Sequence, residues 1–271
     1  MRIFMSTGEA SGEMMAVALA QAMREVRSDL TFVGIGAERM RAAGFEIAAS
    51  TQGWASLGPL EALSRIPKLL GVAVRQVVRL RRRPVDLVVL VDFGAFNVRL
   101  ARMLRTAGYR GAILAFFPPG AWLDDPRVAR VVARTARVLT AFAHQRDFYR
   151  SLGLEIAYVG HPLVSLVAPR EPRALAAARG GVLALLPGSR VGEVRRHLPR
   201  MLAAASLLRE GRPHLEIVVS VADESVSALV SELLAQDGAC GLRVVRGARG
   251  ALDAADVALV ASGTAVLEAA L

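Results

Sequence analysis

The stretch Leu183–Val194, "LALLPGSRVGEV", reads as a buried strand, a Pro-Gly-Ser-Arg turn and the start of a helix. A strand that is apolar on both faces belongs to a parallel sheet covered by helices on either side. A Gly-Ser turn between such a strand and a helix leaves several backbone N–H groups unpaired, so it can receive an anion. Arg190 adds a planar cation suited to phosphate oxygens. Gly188, Ser189 and Arg190 therefore form a candidate anion site, with an ordinary turn bearing a solvated arginine as the alternative.

The same alternation runs outward in both directions. Toward the N-terminus the β-rich runs are "RIFMST", "LTFVGIG", "DLVVLVD", "GAILAFF", "RVLTAFA" and "EIAYVG"; toward the C-terminus they are "VLALLPG", "LEIVVSVA", "LRVVRG" and "VALVAS". Between the two series, Val159–Gly181 concentrates three prolines and a charged cluster and reads as a linker. The expected architecture is α/β, with two doubly wound Rossmann-like domains at residues 1–165 and 166–271. Ligands of such domains bind in the crevice at the carboxyl ends of the strands. After "VALVAS" only the helix start "GTAVLEAAL" remains, so the second domain is expected to be incomplete.

Composition narrows the function. The chain of 271 residues is 54% hydrophobic, yet charged residues interrupt each apolar run well before the roughly 18 residues of a membrane-spanning helix. The apolar N-terminal stretch is too short for a secretory signal before Glu9 arrives, so the expected location is the cytoplasm. A single cysteine, Cys240, excludes an internal disulfide and a cysteine-cluster metal site. Four histidines without ligand spacing argue against a metal centre, and nothing calls for a cofactor. With 34 basic against 24 acidic residues the chain carries +10, which favours anionic partners. Aromatic residues at 5% argue against a nucleic-acid stacking platform.

Three further features carry chemistry. Asp92 closes the apolar strand "DLVVLVD" at its carboxyl end, where burial would raise its pKa and suit it to general-base work; a helix-capping aspartate is the alternative. "ASGTAVLE", Ala261–Glu268, repeats the strand, small-residue turn and helix. A phosphate over the Ser262, Gly263 and Thr264 amides would bring a ribose near Glu268, and two such turns in one domain suggest a nucleotide diphosphate. Finally, the stretch from Leu57 to Pro84 alternates leucine, isoleucine and valine with Arg65, Lys68, Arg75, Arg79, Arg81, Arg82 and Arg83. It suits either an anionic membrane surface or packing against the first sheet.

"STGEASGE", "FVGIGAERMRAAGFE", "LGPLEALSRIPKLL", "VDFGAFN", "YVGHPL", "LALLPGSRVGEV" and "ASGTAVLE" together resemble lipid-A-disaccharide synthase, in order and spacing, across the whole chain. The resemblance implies a GT-B glycosyltransferase whose two domains face a cleft. Such an enzyme joins UDP-2,3-diacylglucosamine to 2,3-diacylglucosamine 1-phosphate and releases UDP. It further implies that Asp92 takes the proton of the acceptor's 6-hydroxyl and that Arg190 sits near the donor phosphates. Ser262, Gly263 and Thr264 would supply backbone donors, Glu268 would hold the ribose, and Ser11, Gly12, Glu13 and Asn97 would lie on the acceptor side. The implied partners are a UDP-sugar donor, a lipid-linked sugar acceptor and the anionic inner face of the cytoplasmic membrane; a homodimer is left open. Several positions depart from the family pattern: Glu13 and Ala95 stand where the family has aspartate, Ser165 replaces the aspartate after "GHPL", and "FFPPGAWLDDPR" stands where the family has a Ser-Pro-x-x-Trp-Ala-Trp segment. They leave two other readings, a UDP-sugar enzyme with another acceptor and a non-catalytic nucleotide-sugar or membrane-binding remnant.

Overall fold

The computed structural model describes residues 1–52, 54, 66–117, 125–167, 180–236 and 241–271. Residues 57–65 of the basic stretch, 168–179 of the linker, and Cys240 lie outside the described residues. The chain divides into two compact units, the first running from Met1 to Pro162 among the described residues and the second from Leu163 to Leu271.

The first unit contains β1 (Arg2–Ser6), α1 (Ala10–Val26), β2 (Thr31–Gly36), α2 (Glu38–Ala42), β3 (Glu46–Ser50), α3 (Ile66–Arg82) and β4 (Leu87–Val91). It continues with α4 (Gly94–Thr106), β5 (Ala112–Phe116), α5 (Pro126–Thr135), β6 (Arg137–Thr140), α6 (Ala143–Ser151) and β7 (Ala157–Tyr158). The strands form one parallel sheet in the order β3-β2-β1-β4-β5-β6-β7. All five residues of β4 are buried, as its unbroken run of leucine and valine requires of a central strand. Helix α5 begins where the sequence says it should: the Asp125 carboxylate accepts the Arg127 N–H at 2.8 Å, and Pro126 follows at the first helical position.

The second unit contains α7 (Leu163–Leu166), β8 (Val182–Leu186), α8 (Val191–Gly211), β9 (Glu216–Val221) and α9 (Glu224–Gln236). It then adds β10 (Arg243–Arg246), α10 (Gly247–Ala254), β11 (Val257–Val260) and α11 (Thr264–Ala270). Its parallel sheet has the order β10-β9-β8-β11. Alternate residues of β8 enter two separate cores: Leu183 and Leu185 pack with Val194, Leu198 and Leu202 of α8, while Ala184 and Leu186 pack with Ala251 of α10. Helices therefore cover both faces.

Each sheet reverses its winding once, between β1 and β4 in the first unit and between β8 and β11 in the second. At such a switch point the turns after two adjacent parallel strands open away from each other, which leaves a crevice at the sheet's carboxyl edge. The candidate residues of each unit fall on the turns beside its switch point or on the helices that follow those turns.

Candidate active site

In the first unit the turn after β4 holds Asp92 and Phe93, both in the left-handed region with φ of 49° and 50°. Aspartate tolerates that region, whereas phenylalanine adopts it only when its surroundings compel it. Here the Phe93 ring lies 5.6 Å from Trp54 and 5.5 Å from Phe96, and it fills the space above Gly8. A β-carbon on Gly8 would fall 2.1 Å from the Phe93 ring, so the first glycine of "STGEASGE" makes room for this turn.

Asn97 braces the same turn. It is 3% exposed, and its amide donates to the Asp92 carbonyl at 2.7 Å and lies 3.3 Å from the carbonyls of Val91 and Ser6. Its carbonyl accepts the Ser6 hydroxyl at 2.7 Å. The Asp92 N–H in turn donates to the Phe116 carbonyl at 2.9 Å. Three neighbouring strands, β1, β4 and β5, thus set the position of Asp92 through its backbone. The expected burial of this residue is not found: the double left-handed turn carries Asp92 out of the buried strand, and it is exposed. What the structure gives Asp92 is a fixed, solvent-exposed position at the switch point.

The remaining acceptor-side candidates divide. Ser11 is half-buried in the first turn of α1, and Gly12 is buried against Thr7 and the Val91 carbonyl. Glu13 turns inward: it is 5% exposed, and its carboxylate accepts the Ala37 N–H at the start of α2. Burial raises its pKa, outweighing that hydrogen bond and the positive charge of Arg39. Its carboxylate therefore ties α1 to the turn after β2.

A cluster that sequence reasoning passed over lies on the same edge. Phe117, Phe142 and His161 follow β5, β6 and β7, with the His161 ring 5.3 Å from Phe117 and 5.6 Å from Phe142. His144 stacks 5.5 Å from Phe142. Phe117 also has a left-handed backbone, with φ of 55°, and lines a narrow cavity together with Asp92 and Asn97. Burial lowers the His161 pKa, which favours its neutral form. The shared signal is position: each residue stands just past the carboxyl end of a strand.

In the second unit β8 and β11 are hydrogen-bonded neighbours, and the Ala261 N–H donates to the Leu186 carbonyl at 2.9 Å. The turns Pro187–Arg190 and Ala261–Gly263 consequently leave the sheet side by side at its switch point, which their sequence separation does not show. The first turn differs from expectation in one respect. Its amides are not unpaired: Glu193 folds back, and its Oε2 lies 3.3 Å from both the Ser189 and Arg190 nitrogens. Its Oε1 accepts from the Arg190 guanidinium at 2.8 Å. Gly188 has φ of +118°, and a β-carbon there would fall 2.6 Å from the Glu193 carboxylate. His197 Nδ1 donates to the Pro187 carbonyl at 3.0 Å and ties the turn to α8.

In the second turn Ser262 and Gly263 are exposed and Thr264 is half-buried. Glu268 follows one helical turn later, and its side chain lines a depression with Arg249, Asp253 and Asp256. None of residues 188–190 or 262–264 lines that depression.

The sequence profile described as Lipid-A-disaccharide synthetase matches residues 3–271. The lipid-A-disaccharide synthase of Myxococcus xanthus is 36% identical over 277 residues, covering 100% of this chain and 72% of that relative. The synthase of Acidobacterium capsulatum is 34% identical, covering 99% of this chain and 71% of its own length. Among solved structures, an S. aureus MnaA–UDP complex superposes with a TM-score of 0.67 at 10% identity, over 99% of this chain and 76% of that one. A spinosyn forosaminyltransferase superposes with a TM-score of 0.54 at 16% identity, over 100% of this chain and 77% of that one. The structural likeness supports the two-unit GT-B fold, and the sequence matches settle the family: this chain belongs to the lipid-A-disaccharide synthases.

Proposed function

We propose that this chain transfers the sugar of UDP-2,3-diacylglucosamine to the 6-hydroxyl of 2,3-diacylglucosamine 1-phosphate. The products are the lipid A disaccharide and UDP. Family membership over residues 3–271 carries this reading. The Asp92 carboxylate takes the hydroxyl proton as the acceptor oxygen forms its bond to the anomeric carbon, on the face opposite the diphosphate. The bond between that carbon and the phosphate oxygen breaks, UDP leaves with the electron pair, and the configuration inverts. Arg190, with the amides of the Gly188–Ser189 turn and of Ser262–Thr264, receives the charge that grows on the departing diphosphate. Glu268 is assigned to the ribose, and Ser11 and Gly12 to the acceptor side. Asn97 acts through Asp92 and is a positioning residue.

The lipid substrates call for access to a membrane surface, and α3 offers one. Ile66, Leu70, Val74 and Val78 recur every four residues and are between 42% and 49% exposed, beside the exposed cations Lys68, Arg75, Arg81 and Arg82. The opposite face, with Val72, Ala73, Val77 and Leu80, is buried in the first core. One face of the helix therefore packs, as the second alternative held, and we propose that the exposed face lies on the anionic inner surface of the cytoplasmic membrane. Arg79 belongs to neither face, since it pairs with Glu46 of β3. No helix among the described residues is long and apolar enough to cross a membrane.

The direct test incubates the chain with both lipid substrates and identifies the products by mass spectrometry and NMR. Formation of the linked disaccharide with an equal amount of UDP is expected. UDP with free monosaccharide, or transfer only to a different acceptor, would contradict the assignment.

A further inference from the structure

We infer that Glu193 is an internal competitor for the donor diphosphate and thereby sets how readily UDP leaves. The inference rests on placing the diphosphate at the Gly188–Arg190 turn. Three of the donors of that turn, the Ser189 N–H, the Arg190 N–H and the Arg190 guanidinium, are engaged by the Glu193 carboxylate. An N–H that already donates to one anionic oxygen cannot donate well to a second, and two anions at hydrogen-bond distance from the same donors repel. Phosphate and carboxylate must therefore exchange: Glu193 withdraws as the diphosphate enters and returns as UDP leaves. The local backbone is shaped for this occupant, because a β-carbon on residue 188 would collide with the carboxylate.

Glu193 has a second effect of opposite sign, since its contact with Arg190 holds the guanidinium near the turn. That pair is open to water, with side chains 42% and 27% exposed, so holding Arg190 in place contributes little. Competition for the donors dominates, and removing the negative charge should tighten UDP binding.

Calorimetric titration of the whole chain with UDP and with uridine tests this, alongside thermal melting of each variant. Glu193→Gln keeps an oxygen acceptor for both amides and removes the charge. It is expected to bind UDP about threefold or more tightly, with uridine affinity and melting temperature unchanged. Glu193→Ala also removes the competing acceptor and is expected to bind UDP at least as tightly as Glu193→Gln. If neither variant gains UDP affinity while Arg190→Ala loses it, the turn holds the diphosphate but Glu193 does not compete, and this inference alone falls. If Arg190→Ala leaves UDP affinity unchanged, the diphosphate lies elsewhere, and the placement falls together with the inference.

Discussion

Asp92 and Phe93 occupy the left-handed region in succession, a conformation that costs on the order of 1–3 kcal/mol at each such residue and persists only when its surroundings over-determine it. Asn97 supplies much of that constraint, with hydrogen-bonding contacts to Ser6, Val91 and Asp92. Asn97→Ala should lower unfolding free energy by about 1–3 kcal/mol in urea titration, because it removes the buried acceptor of the Ser6 hydroxyl and the amide that donates to the turn. It should also reduce turnover more than UDP affinity; a stable, fully active variant would remove the brace from the mechanism. Glu13 makes a separate prediction. Its pKa is raised in the fold, so the native state holds the proton more tightly than the unfolded chain does. Stability is therefore lost as pH rises from the ordinary glutamate range, about 4.3, through the raised folded value. Glu13→Gln should gain on the wild type as pH climbs through that window, and a constant difference across pH would contradict it. Asp92 was legible in the sequence because it ends an apolar strand. Asn97 was not legible as a brace, since its partner Ser6 is 91 residues away. Glu193 escaped notice as a cap because arginine, not serine or threonine, precedes it by three residues.

Among elements, the buried strands were the most legible. "LVVLV" and "LALL" are apolar throughout, and only a central position in a covered sheet satisfies such runs. β3 was missed because it is an edge strand, "EIAAS", with exposed ends and small half-buried residues that give little periodic signal. Helix α3 was legible as basic and amphipathic, but its two faces were not separable by pattern, because valine and leucine occur on both. The fold separates them and also removes Arg79 from the exposed set through its pair with Glu46. Replacing Arg75, Arg81 and Arg82 with glutamine should weaken sedimentation with anionic vesicles by about 1 kcal/mol per cation near the surface, and added salt should do the same. Equal binding to neutral and anionic vesicles would show that the exposed face of α3 does not meet a charged bilayer.

At the scale of the whole chain, two parallel sheets each place their candidate residues at a single switch point, and the alternation of strand and helix was enough to predict that edge. Strand order was not readable, so the adjacency of the two turns after β8 and β11, like that of Gly8 and Phe93 after β1 and β4, emerged only from the fold. The proposed division of labour is specific: the first unit would supply the base and the second would bind the leaving group. Asp92→Asn tests it most directly, with disaccharide turnover and UDP affinity measured on the same preparation. A base acts on the acceptor in the transition state and not on the bound nucleotide, so turnover should fall roughly a hundredfold or more while UDP affinity stays nearly unchanged. Near-normal turnover in Asp92→Asn would contradict the assignment of Asp92 as the base.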